Sequence, residues 1–139
     1  NGLMPKKVSV SSLVQMEKQY RNSRFDLYVE YQGKKAFIEV KGVTLEQDGT
    51  ARFPDAPTER GVKHIRELAK CLEEGYEAWI FFVIQMSGVT EFQPNWDIHP
   101  EFGYELQKAA EAGVHVEAWD CQVMPGEIYM NNRIPVKLS

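Results

Sequence analysis

Apolar and polar residues alternate along two neighbouring stretches in the first third of the chain. Every second residue is apolar from Phe25 to Tyr31, and a similar alternation runs from Lys35 to Val43. Gln32-Gly33 separates the two stretches, and a two-residue turn with glycine commonly joins antiparallel strands. The pattern therefore predicts a β-hairpin in which Leu27 lies opposite Ile38.

The rest of the chain alternates between helical and strand patterns, and Gly75 and Gly113 mark the expected helix ends. Residues 8–21 fit either a strand or a short helix. The other predicted elements are a loop over 44–57, helices over 58–74 and 100–112, a strand buried on both faces over 77–85, a polar loop over 86–100, a strand over 114–121 and a last strand or hairpin between 122 and 136. This order predicts a single α/β domain over residues 1–139, with a mixed central sheet flanked by helices.

Charge is distributed unevenly along the chain. Residues 1–66 hold twelve lysines and arginines against eight acidic residues, whereas residues 67–139 hold four against twelve. Such a division is typical of a basic working face on an acidic body, although chance clustering on solvated surfaces gives the same counts.

Cys71 and Cys121 are fifty residues apart, a spacing typical neither of a metal site nor of a disulfide framework. Two free thiols fit a reducing compartment, so a cytoplasmic location is expected. No apolar run approaches the roughly 20 residues that a membrane helix requires, so no membrane partner is expected.

The hairpin register sets two carboxylates against each other. Asp26 falls opposite Glu39, and Lys41 shares the face of Glu39 because side chains alternate along a strand. Opposed carboxylates repel, and a divalent cation such as Mg²⁺ removes that repulsion while keeping room for water and phosphate oxygens. The alternative is a solvated strand face whose charges pair across the ladder.

The same residues resemble a known nuclease motif. The PD-(D/E)xK pattern is matched by Asp26, twelve intervening residues and then Glu39-Val40-Lys41. The sequence around these residues is similar to that of the sugar fermentation stimulation protein family. The similarity is carried by the segments Ser23-Arg24-Phe25-Asp26, Phe37-Ile38-Glu39-Val40-Lys41, Val43-Thr44-Leu45, Phe53-Pro54-Asp55-Ala56, Thr58-Glu59-Arg60-Gly61, Lys63-His64 and Glu67-Leu68.

The resemblance implies a restriction-endonuclease-like fold and non-specific DNA binding, with a regulatory role in sugar (maltose) metabolism. It implies that Asp26, Glu39 and Lys41 are the motif residues and that Glu17 is a further metal ligand. Many members of the family carry an N-terminal OB-like domain, which is expected to be absent from residues 1–139.

The helix over 58–74 adds basic groups beside the motif. A helix start carries free N–H groups and partial positive charge, which favour phosphate. We expect Arg24, Arg60, Lys63 and His64 to contact nucleic acid; ordinary solvated surface charges are the alternative for the three residues on the helix.

Three classes of function remain at this point. The first is an Mg²⁺- or Mn²⁺-dependent phosphodiesterase acting on nucleic acid, with DNA the expected substrate and Asp26, Glu39 and Lys41 catalytic. The second is a non-catalytic, non-specific DNA-binding regulator, and the third is a domain that binds a small molecule or a protein on a similar sheet.

Overall fold

A computed structural model describes residues 6–9, 14–20 and 23–139, and within these the side chains of residues 26–30, 32–122, 124–127 and 129–139. Two helices and ten strands lie in this part of the chain. In chain order they are β1 (Lys6–Ser9), β2 (Val14–Tyr20), β3 (Ser23–Tyr31), β4 (Lys34–Val43), β5 (Leu45–Gln47), β6 (Thr50–Phe53), α1 (Glu59–Glu73), β7 (Glu77–Ile84), β8 (Glu91–Pro94), α2 (Pro100–Ala112), β9 (His115–Met124) and β10 (Glu127–Ile134).

The main sheet has the strand order β1-β10-β9-β7-β4-β3-β2 and is mixed. Its strand β4 is antiparallel to β3 on one side and parallel to β7 on the other. Leu27 lies opposite Ile38, which confirms the predicted hairpin register. Gln32 and Gly33 form the turn with φ angles of 51° and 77°, the positive values that a tight hairpin requires at both central positions.

A second sheet, with the order β5-β6-β8, corrects two sequence predictions. The segments 44–57 and 86–100, both predicted as loops, contain β5, β6 and β8. These strands are only three or four residues long, too short for a clear alternation, and the tight turn at Asp48-Gly49 resembles a loop. The small sheet is fixed to the core by Phe53 and Phe92, whose rings lie 5.5 and 4.3 Å from that of Phe82.

Helix α1 packs on the main sheet and α2 packs beside α1, with the ring of Phe102 at 6.4 Å from that of Phe82 on β7. Thr58 caps α1 by accepting a hydrogen bond from the Gly61 N–H at 3.0 Å, as expected for a threonine just before a helix. Helix α1 belongs to the crossover connection between β4 and its parallel neighbour β7. The start of α1 therefore lies near the carboxyl end of β4. The largest fully buried side chains lie in this helix–sheet layer: Phe37, Phe82, Phe92, Phe102, Ile65, Leu68, Ile80, Ile84, Leu106, Pro54 and Pro94.

Strand β7 is less buried than its apolar sequence indicates. Ile80 and Phe82 face the helices and are completely buried. Trp79 and Phe81 lie on the opposite face and are only half-buried, and Trp79 stacks on His115 with ring centroids 4.2 Å apart. The predicted burial on both faces is therefore wrong for these two aromatic residues.

Within the described part of the chain, neither helix has the length and apolar character needed to cross a bilayer.

Candidate active site

Glu39 and Lys41 lie on β4 and face the helix layer. The strand pairing of β3 and β4 runs as far as Leu27 and Ile38, and beyond that point a side chain replaces a ladder bond. Asp26 Oδ2 accepts the backbone N–H of Val40 at 2.8 Å. The carboxyl group of Asp26 is therefore held between the two strands beside Glu39, close enough for their charges to interact.

Glu39 has two oxygens in different surroundings. The residue is only 3% exposed. Its Oε2 lies 2.9 Å from Lys41 Nζ and 2.6 Å from His64 Nδ1. Its Oε1 is buried and has no hydrogen-bond partner among the described residues. An unpartnered buried carboxylate oxygen is costly, so this atom fits a ligand to a cation.

The two carboxyl groups have pKa values shifted in opposite directions. Burial raises the pKa of Asp26, and the negative charge of Glu39 raises it further, against the lowering effect of the Val40 N–H. Burial also acts to raise the pKa of Glu39, but the hydrogen bond from His64 and the charge of Lys41 outweigh it and lower that pKa. Paired acids with opposed shifts are typical of functional sites, and a divalent cation would favour the ionised form of both.

His64 reaches this site from α1, where its side chain is turned toward Glu39. The side chain was expected to contact nucleic acid, yet the residue is 6% exposed and its Nδ1 is engaged by Glu39. The physical reason is that the buried carboxylate on β4 faces α1 and requires a polar partner there. This pairing joins positions 25 residues apart, so helical spacing alone gives no signal for it. The available signal was that His64 lies next to the apolar side of α1, which packs on the strand that carries Glu39.

The other basic residues predicted on α1 are on its surface. Arg60 and Lys63 are both exposed. Arg60 has no ion-pair partner among the described residues, whereas Lys63 does interact with another group. Arg60 thus lies on the surface near the start of α1, one helical turn before His64.

Two predicted site residues fall where side chains are not described. Glu17 lies on β2 and Arg24 on β3, and the register of these strands sets Glu17 level with Asp26 in the sheet. The described side chains contain no group of three or more His, Cys, Asp and Glu residues placed to hold a metal ion. Among the described side chains, Asp26 and Glu39 are the two carboxylates placed together here, and a third acidic group would have to come from side chains outside that part.

Comparisons with known proteins agree with the fold. A family described as "Sugar fermentation stimulation protein RE domain" matches residues 2–127. Proteins named sugar fermentation stimulation protein homolog are 54% identical over 127 residues in Clostridium beijerinckii and 53% identical over 127 residues in Ruminiclostridium cellulolyticum. Each alignment covers 91% of this chain and 56% of the relative, so the chain spans about half the length of these relatives.

A solved structure is similar over the same extent. The chain matches the SfsA protein of Pyrococcus furiosus, solved in complex with Ca²⁺, with a TM-score of 0.80 and 30% identity. The match covers 91% of this chain and 56% of the other. This likeness confirms the mixed α/β, restriction-endonuclease-like fold that the sequence predicted.

Proposed function

The chain belongs to the sugar fermentation stimulation protein family, and from that premise we propose that it binds DNA and hydrolyses phosphodiester bonds with a divalent metal ion held by Asp26 and Glu39. Mg²⁺ is the proposed ion, with Mn²⁺ as its substitute. Glu17 is the proposed further ligand, because the register of β2 and β3 sets it level with Asp26.

One observation carries the proposal. Among the described residues, Glu39 Oε1 is buried and has no hydrogen-bond partner. It lies beside Asp26, whose pKa is raised by burial and by the charge of Glu39. A fold keeps such a costly arrangement where a ligand removes the cost, and carboxylate oxygens are what Mg²⁺ and Ca²⁺ take as ligands. The Ca²⁺ bound by the Pyrococcus furiosus protein supports divalent-ion binding in this family.

The protein side chains divide the work around the phosphate. A bound divalent ion would lower the pKa of its water and neutralise charge on the phosphate. Lys41 Nζ lies 2.9 Å from Glu39 Oε2 and its side chain is 16% exposed, so it can hold a phosphate oxygen or orient the attacking water while staying anchored. Asp26 is fixed by the Val40 N–H and keeps a second oxygen for the ion.

DNA is the proposed substrate because the basic residues of the chain are concentrated in the part that carries the site. Arg60 projects from the first turn of α1, where the helix start also favours phosphate. Residues 1–66 carry all the proposed site residues. They hold twelve of the sixteen lysines and arginines.

A cleavage assay tests the proposal. Plasmid DNA and labelled single-stranded and double-stranded oligonucleotides are incubated with the protein in Mg²⁺, in Mn²⁺ and in EDTA. Cleavage is expected only with a metal ion, and Glu39→Gln and Lys41→Met are each expected to remove it. The matched controls are Glu30→Gln on β3 and Lys35→Met on β4, both exposed and both expected to cleave normally.

Metal-independent cleavage, or full activity in both site variants, would contradict the proposal.

A second function is favoured by the small number of ligands. Only two acids of the site are present among the described side chains, and no cluster of three is found there. A site limited to these would suit a DNA-binding regulator of sugar metabolism without turnover. Its signature is DNA binding that falls steeply with added salt, because neutralised phosphates release counterions, with no product at any metal concentration.

A further inference from the structure

The contacts of Glu39 distinguish its two oxygens more sharply than the motif requires. Lys41 and His64 both donate to Oε2, whereas the buried Oε1 receives no hydrogen bond from the part of the chain that the structure describes. If the contacts served only to neutralise the charge of Glu39, the hydrogen-bond donors could be divided between its two oxygens. The donors here are concentrated on one oxygen, which leaves the other free and desolvated.

We propose that His64 is a positioning residue that reserves Glu39 Oε1 for the metal ion. The imidazole Nδ1–H and the Lys41 ammonium together occupy Oε2, so Glu39 binds the cation through Oε1 alone. This inference rests on the metal site of the proposed function and deepens it, because it assigns the ligating atom and the residue that selects it.

His64 is suited to this task because it is the rigid donor of the two. The terminal torsion of a glutamate has a broad energy profile, so the carboxylate turns readily unless a neighbour holds it. Lys41 approaches on a flexible four-carbon stem and can follow the carboxylate as it turns. The ring of His64 is 8% exposed and is carried on a helix whose neighbouring residues Val62 and Ile65 are buried in the core.

The experiment measures metal affinity without nucleic acid. Mn²⁺ is titrated into the metal-free full chain, with free Mn²⁺ followed by electron paramagnetic resonance, for the unaltered protein, His64→Ala and His64→Asn. Replacing an outer partner of a metal ligand commonly lowers affinity about 10- to 100-fold, and that loss is expected for His64→Ala. The Mn²⁺ affinity of His64→Asn is expected to lie within about 3-fold of that of the unaltered protein, a smaller loss than for His64→Ala. The reason is that the asparagine Nδ2 can replace the histidine Nδ1 as the donor to Glu39. His115→Ala, exposed on the other face of the sheet, is the matched control.

The readouts separate positioning from mere support of the fold. Thermal unfolding followed by circular dichroism sets a titration temperature at which every variant is folded, so a destabilised variant is still compared as a native protein. Weak binding by His64→Ala with recovery in His64→Asn supports the proposal. Equal affinity of His64→Ala and the unaltered protein would overturn it, and so would equal losses in the Ala and Asn variants.

A double variant tests whether His64 acts through Glu39. In a Glu39→Gln background, His64→Ala is expected to cause no further loss of Mn²⁺ affinity, and an additional loss as large as in the unaltered background would overturn the proposal. Failure of the proposed function is seen separately, as Mn²⁺ binding without DNA cleavage, and leaves these affinity ratios measurable. Absence of Mn²⁺ binding by the unaltered protein would overturn both.

Discussion

Replacement of Glu39 by glutamine should destabilise the metal-free protein even though it removes a buried charge. Glu39 Oε2 accepts two hydrogen bonds from charged or chargeable donors, at 2.9 Å from Lys41 and 2.6 Å from His64. Bonds of this kind contribute about 1.5–3 kcal/mol each, and a neutral amide oxygen retains only part of that. Relief of the burial cost and of the repulsion from Asp26 offsets some of the loss, which leaves a net decrease of about 2 kcal/mol in the free energy of unfolding.

Urea unfolding in EDTA at pH 7 measures this decrease. With a slope of about 2 kcal/mol per molar urea, the midpoint should fall by about 1 M. The pH dependence supplies a second check. Because the folded-state pKa of Glu39 is lowered, its contribution is complete above the unfolded value near 4.5 and is lost as pH falls through the folded value. The difference between the two proteins should therefore shrink in acid, and a glutamine variant as stable as the parent at pH 7 would refute the reasoning.

Asp26→Asn should act in the opposite direction under the same conditions. The pKa of Asp26 is raised in the folded state by burial and by Glu39, so its ionised form opposes folding as pH rises through that value. Asparagine retains an oxygen for the Val40 N–H, now bonded at 2.8 Å. The variant should therefore unfold at a higher urea concentration than the parent at pH 7, and at the same concentration below the unfolded aspartate pKa of 3.8. A less stable variant at pH 7 would show that Asp26 supports the metal-free fold.

Three other outcomes are expected. Gly103→Ala should lower the free energy of unfolding by about 1–3 kcal/mol in urea melts, a typical cost of overpacking, since the added Cβ would lie 2.5 Å from Trp96 Cζ3; an unchanged midpoint would contradict this packing. Burial raises the pKa of Cys121 to about 12, so a thiol reagent at pH 8 should label it only as fast as the protein unfolds, and prompt labelling of native protein would count against that burial. Arg60→Ala should weaken DNA binding and reduce the slope of log affinity against log salt by about 1, whereas Arg66→Ala, whose guanidinium already pairs with acids of α2, should leave that slope unchanged.

The hairpin and the helices were predictable because their signals are local. Gln32-Gly33 sets the turn and thereby the register that puts Leu27 opposite Ile38. The threonine cap and the apolar stripe of α1 likewise lie within one segment. The short strands β5, β6 and β8 were harder to predict, because each has only three or four residues. The pairing of β6 with β8 also joins segments far apart in sequence, with Thr50 opposite Glu91.

The site was predictable at the level of residues but not of atoms. Strand alternation was sufficient to place Asp26, Glu39 and Lys41 together. It could not show that Glu39 keeps one oxygen without a partner in the described residues, because that depends on His64, which reaches the site only through the packing of α1 on the sheet. A helical wheel drawn for α1 alone counts His64 as polar surface for the same reason.

The two-sided pairing of β4 has a consequence for the order in which the molecule assembles. Its antiparallel contact with β3 closes over a two-residue turn and needs little loop entropy, so this hairpin is expected to form within microseconds of the start of folding. Its parallel contact with β7 must wait until the whole of residues 44–76 has folded back, which is a slower, non-local event. Asp26 and Glu39 would thus come together while His64 is still distant. A nascent chain would then expose both carboxylates to the surrounding ions before α1 packs over them.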